Sequence, residues 1–142
     1  MRKIILIFLA AVAIISVAFL AFAAEESKAA GKVVAYYFHG RFRCSTCTTM
    51  EKYCKEAIET NFKDALASGR LKFKAVNVEE PGNEHYINDY KLYTKSFILS
   101  FTKDNKEIKS KNLDKIWEYV SNKQKFIAYI GEEIRVLLAE SK

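Results

Sequence analysis

Lys32-Val33-Val34-Ala35-Tyr36-Tyr37-Phe38 is β-branched and aromatic almost throughout, and a helical stripe opens shortly after it. A strand apolar at both parities is expected to be covered on both faces. His39-Gly40-Arg41-Phe42-Arg43 reads as a loop. From about Cys44 onward, Cys47, Met50, Cys54, Ile58, Phe62 and Leu66 fall on one stripe at helical spacing, and Ser68-Gly69 supplies a stop. A doubly covered strand leading into an amphipathic helix directs the chain towards an α/β architecture.

The remainder fits that frame. Leu71-Lys72-Phe73-Lys74-Ala75-Val76-Asn77-Val78 alternates and predicts a second strand. Glu80-Pro81-Gly82-Asn83 is a turn, and residues 84–93 form a weaker helix candidate. Ser96-Phe97-Ile98-Leu99-Ser100-Phe101 predicts a third strand. Lys103-Asp104-Asn105-Lys106 is a hairpin turn, and Glu107-Ile108-Lys109 a short fourth strand. A long helix is expected from Asn112 or Asp114, with a kink at Ser121-Asn122-Lys123. Trp117, Phe126 and Ile130 are read as its core side. The predicted order is β-α-β-α-β-β-α, with a central sheet of about four strands flanked by helices.

The first residues belong to a different class. Met1-Arg2-Lys3 is basic, residues 4–20 are apolar except for Ser16, and Ala21-Phe22-Ala23 carries small residues where a signal peptidase requires them. A cleaved signal ending at residue 23 is one reading. An uncleaved anchor is the other, because roughly 20 apolar residues span a bilayer. Both put the remainder outside the cytoplasm, periplasmic or on the outer face of the membrane. Residues 24–31 read as a linker and 32–142 as one domain; about 118 residues remain without the N-terminal segment, enough for a modest core. Net charge is +6 and falls to +4 without Arg2 and Lys3, with the signs interleaved. Such a surface is that of a solvated protein. Without a basic block or a recognition motif, a nucleic-acid partner is not expected.

All three cysteines lie between positions 44 and 54, a clustering that suggests chemistry or metal binding rather than a disulfide framework. Cys44 and Cys47 on the first turn of a helix are close enough to form a disulfide. The helix N-terminus favours a thiolate at Cys44, and Arg41 and Arg43 are near in sequence to add to this. Cys44 is then the exposed nucleophile and Cys47 the resolving thiol. A zinc or copper site, with His39 as third ligand, and a silent structural pair remain alternative readings. Cys54 lies two turns beyond Cys47, about 10 Å along the axis, too far for a disulfide. It reads as a small buried hydrophobe. His85 reads as a surface residue. Phe42 is either an exposed contact for partners or packed down.

The arrangement resembles thioredoxins: Val34 through Cys47 is similar to their strand, loop and active-site helix start, and Asn77-Val78-Glu79-Glu80-Pro81-Gly82 to the exit of their second strand. The resemblance extends over residues 32–120 and implies a three-layer thioredoxin-like fold. It also implies a thiol–disulfide oxidoreductase acting on protein thiols or disulfides, without a cofactor, as a monomer, with a membrane redox partner conceivable. More narrowly, Tyr37-Phe38-His39-Gly40, then Arg43-Cys44-x-x-Cys47, is similar to small exported bacterial proteins labelled as a nitrophenyl-compound nitroreductase subunit. The residues themselves suggest no flavin site. Two departures stand out. The thioredoxin cis-proline position falls at Ser96, since Pro81 is the only proline. That makes metal capture by the dithiol more plausible. The buried acid of the family's first strand is also missing, with Glu51 or His39 as possible substitutes. The two arginines and the missing acid predict a pair more oxidising than a typical thioredoxin.

Overall fold

The computed structural model describes residues 31–140. The proposed signal or anchor, residues 1–23, and nearly all of the linker lie outside the described residues. Among those described, no helix is long and apolar enough to cross a membrane.

Four strands form one mixed sheet in the order β2-β1-β3-β4. They are β1 (Lys32–His39), β2 (Leu71–Asn77), β3 (Ser96–Lys103) and β4 (Lys106–Asn112). β1 runs parallel to β2 and antiparallel to β3, and β4 is antiparallel to β3. The helices are α1 (Ser45–Asn61), α2 (Lys63–Ala67), α3 (His85–Asp89), α4 (Ile116–Tyr119) and α5 (Lys123–Glu140).

The period of two in β1 sorts its side chains into two layers. Val33, Ala35 and Tyr37 join the main core with Phe97, Leu99, Met50, Cys54, Ile58, Phe126, Ile130 and Ile134, beneath α1 and α5. Tyr36 and Phe38 face the other way and meet Tyr86 and Tyr90 around α3. Helices on both faces of a four-strand sheet give the expected three-layer α/β arrangement. Helix α1 is held by packing along its stripe, buried from Cys47 to Ile58, and on its surface Lys123 Nζ of α5 pairs with Glu56 at 2.7 Å.

Several expected boundaries are corrected. The first helix does not run unbroken to Ser68. It stops at Phe62, whose φ of −131° and ψ of 35° leave the helical region while its ring packs into the core. β4 is longer than the three residues expected, because β3 offers it a pairing edge as far as Ile98↔Asn112. Asn112 therefore ends a strand and starts no helix. The C-terminal helix is two helices, because Asn122 Oδ1 accepts the Lys125 N–H at 3.0 Å and caps α5 afresh. The candidate helix at residues 84–93 shortens to α3.

Trp117 is the clearest correction to the expected core. It is 39% exposed, and its indole N–H donates to the Lys95 carbonyl at 3.0 Å. Ile116 beside it takes the buried place, while Phe126 and Ile130 are buried as expected.

Candidate functional site

Helix α1 needs a side-chain acceptor at its start, because its first N–H groups have no intrahelical partner. Ser, Thr, Asp or Asn usually supplies it. Here Cys44 is the N-cap residue, and its Sγ accepts the Cys47 N–H at 3.1 Å. The first turn contains no acidic residue to offset the positive end of the helix. Cys44 and Cys47 form a disulfide with Cα atoms 5.0 Å apart. Cys44 is half-buried, whereas Cys47 is only 1% exposed. An incoming sulfur therefore meets Cys44 first.

The arginines are less available to the site than their positions in the chain suggest. Arg43 contacts the Glu51 carboxylate, and its other terminal nitrogen lies 3.1 Å from His39 Nε2. Its charge is thus largely compensated by Glu51. Arg41 is exposed and turns towards Glu79, whose carboxylate accepts the Arg41 backbone N–H at 3.2 Å. The expectation that both arginines add to a Cys44 thiolate is correspondingly reduced.

His39 is committed at both nitrogens. Nδ1 lies 3.0 Å from the Gly40 carbonyl and donates to it, which leaves Nε2 as the lone-pair nitrogen that Arg43 engages. Neither nitrogen is free for a Cys44/Cys47/His39 metal set. Among the described residues no three His, Cys, Asp or Glu side chains converge to hold an ion. Glu51, the other candidate substitute for the family's acid, is held by Arg43. His85 is exposed and pairs with Asp89 at 2.7 Å.

Sequence reasoning missed Tyr37. Its ring is fully buried, and its hydroxyl donates to the Cys47 carbonyl at 2.7 Å. Burial, reinforced by the neighbouring Cys54, holds this phenol well above the ordinary tyrosine range, so it remains a neutral donor. The available signal was the alternation of β1, which turns Tyr37 towards α1. Cys54 is fully buried, and burial pushes its thiol up as well, in keeping with a packing role.

Ser96 is buried and paired with Phe38 across β1 and β3. Its hydroxyl donates to the Thr94 carbonyl at 2.9 Å, and all peptide bonds among the described residues are trans. Beside this segment lies an open groove of about 180 Å³, lined by His39, Gly40, Val78, Glu79, Tyr93 and Lys95 among others. A Cβ at Gly40 would fall 2.4 Å from Glu79 Oε1, a contact that the exposed Glu79 side chain can relieve by moving. Phe42 is 75% exposed and Tyr93 95% exposed. The Lys95 ammonium lies 5.6 Å from the Phe42 ring centroid. Phe42 is thus exposed and not packed down.

No family model matches the sequence, and no curated protein matches it either. Several solved structures are similar to the chain. A Fasciola hepatica thioredoxin is 17% identical, with 89% of this chain and 94% of that chain covered and a TM-score of 0.44. Thioredoxin O2 of Arabidopsis thaliana in its oxidised state is 13% identical, with coverages of 68% and 76% and a TM-score of 0.41. A structure described as that of a malarial protein is 18% identical, with coverages of 71% and 96% and a TM-score of 0.43. None of these carries the nitroreductase label.

Proposed function

We propose that this chain is a thiol–disulfide oxidoreductase that works outside the cytoplasm on protein thiols and disulfides. The observation that carries the reading is the Cys44–Cys47 disulfide at the start of α1, with Cys44 as N-cap and Cys47 shielded behind it. In the reducing direction, the Cys44 thiolate attacks one sulfur of a substrate disulfide. The other substrate sulfur leaves as a thiolate, and a mixed disulfide forms. Cys47, deprotonated, then attacks Cys44 Sγ and releases the first substrate sulfur. The substrate gains two electrons and the pair returns to its disulfide. Run backwards, the same steps oxidise a substrate dithiol.

The groove lined by His39 and Gly40 supports a protein-sized substrate, because Tyr93 and Ile87 expose apolar surface in it and Phe42 is exposed near Lys95 of its wall. The extracytoplasmic assignment rests on the basic, apolar and small-residue pattern of residues 1–23. A pair that cycles between disulfide and dithiol there takes its electrons from, or gives them to, another dithiol couple, and a membrane redox protein is one candidate.

The test uses the purified full chain. Wild type should accelerate reduction of insulin disulfides by dithiothreitol, and Cys44→Ser should abolish the acceleration. Cys47→Ser, lacking the resolving thiol, should accumulate a mixed disulfide on Cys44 that dithiothreitol dissolves. Activity surviving in Cys44→Ser, or no adduct on Cys47→Ser, overturns the reading. Location is tested by labelling reduced Cys44 in intact protoplasts with a membrane-impermeant maleimide. Protection until lysis would sink the extracytoplasmic part alone.

A further inference from the structure

Residues 92–95 make one wall of the groove that His39, Gly40 and Glu79 also line. They belong to neither α3 nor β3, and Lys91, just before them, has a φ of +50°. A wall without regular hydrogen bonding is held by whatever ties it down. Leu92 is tied locally, its N–H donating to the Ile87 carbonyl at 2.9 Å, and two further ties hold Thr94 and Lys95. Ser96 Oγ donates to the Thr94 carbonyl at 2.9 Å, which is a link within the segment itself. The Trp117 indole N–H donates to the Lys95 carbonyl at 3.0 Å, across 22 residues of chain.

The second tie continues the edge of the sheet. β4 pairs with β3 only as far as Ile98↔Asn112. Beyond that pair the Leu113 N–H donates to the Phe97 carbonyl at 2.8 Å. Lys95, two residues further back, offers the next carbonyl on the same side. Among the described residues no backbone N–H donates to it, and the Trp117 indole takes that place. Ile116 anchors α4 in the core, so the indole is held from a fixed base while its ring stays partly exposed. From Lys95 the connection passes to the other side of the site, because its ammonium lies over the ring of Phe42, two residues before Cys44.

The geometry assigns Trp117 as a positioning residue for protein disulfide substrates. It holds the Thr94-Lys95 wall at a set distance from the loop that carries Phe42 and Cys44. Small disulfides that reach Cys44 without touching the wall do not need it. This assignment rests on the dithiol reading above.

The experiment compares the full-length wild-type chain with Trp117→Phe, which keeps an aromatic ring and loses the N–H. Two disulfides are used, insulin and bis(2-hydroxyethyl) disulfide, and backbone hydrogen exchange is followed across residues 92–97. Trp117→Phe is expected to raise KM for insulin about fivefold, the worth of one neutral hydrogen bond. Its kcat and its rate on the small disulfide should be unchanged, and exchange of the 92–97 amides should quicken. Unchanged exchange means the indole does not hold the wall, and overturns the proposal. Quickened exchange with an unchanged KM means substrates do not use the wall, and overturns it too. Equal losses on both disulfides mark a general structural defect, again contrary to the proposal. If wild type reduces neither disulfide while Trp117→Phe still loosens the wall, the dithiol reading fails and the tie itself stands.

Discussion

A sulfur atom caps helix α1 where most helices place an oxygen. Cys44 Sγ accepts the Cys47 N–H, so the residue that would attack a disulfide also lies against the unpaired amides of the helix start. Tyr37 holds the other side of the same turn through the Cys47 carbonyl. Its phenol is a neutral donor in that hydrogen bond and does not titrate near neutral pH. Tyr37→Phe should fold, because the carbonyl keeps its helical partner one turn on. It should lose about 1 kcal/mol of stability. Urea unfolding of both chains checks this, and a loss near zero would mean that the hydroxyl contributes nothing. Arg43 teaches a different lesson at this scale. Its nearness to Cys44 in the chain suggested a thiolate partner, but a Glu51 carboxylate one turn past Cys47 claims the guanidinium.

Among the elements, those with a strong local pattern formed as expected and those without one were placed by their neighbours. The stripe from Cys47 to Ile58 specified α1, and Gly69, with a φ of +71°, specified where the helical segment ends. β4 carries no such signal. Lys106-Glu107-Ile108-Lys109-Ser110-Lys111-Asn112 is charged and fully exposed, and its length is set by the edge of β3. Its lysines also discourage a further strand from adding there. The turn that joins β3 and β4 places Asp104 and Asn105 at φ values of 52° and 60°, the left-handed pair of a tight hairpin. Glycine meets that requirement without a Cβ. Asn105→Gly should therefore stabilise the hairpin by a few tenths of a kcal/mol, seen as a small rise in the urea midpoint. A fall would mean that the Asn side chain has a role of its own.

Across the whole molecule, burial of proton-bearing groups sets the response to alkali. Burial pushes Tyr36 and Tyr129 up to about 12, and moves Tyr37, Tyr90 and Cys54 upwards as well. In each case the folded chain keeps a proton that the unfolded chain releases near pH 10 for tyrosine and about 8.5 for cysteine. Folding then binds protons at high pH, so stability is intact below those unfolded values and falls as pH rises towards the folded ones. The urea midpoint should decline steadily from about pH 9 to pH 12. A flat profile over that window would show that these groups are less buried than the fold implies.

The sequence by itself determined the α/β class, the element order and the place of the dithiol. These follow from local facts: the period of a strand, the stripe of a helix, and two cysteines one turn apart at its start. Cys54 as a buried filler and His85 as a surface residue were legible on the same grounds. Only the tertiary structure decided which partners meet across the chain. It engaged both nitrogens of His39, gave Arg43 to Glu51, placed the Tyr37 hydroxyl on Cys47, and drew Trp117 out of the expected core onto Lys95. Such contacts join residues as much as 22 positions apart. No local pattern encodes them, because they depend on which strand edges and helix faces the packed sheet brings together. The Cys44–Cys47 pair could be located from its own neighbourhood, but its surroundings exist only once β1, α1, β3 and α4 are assembled.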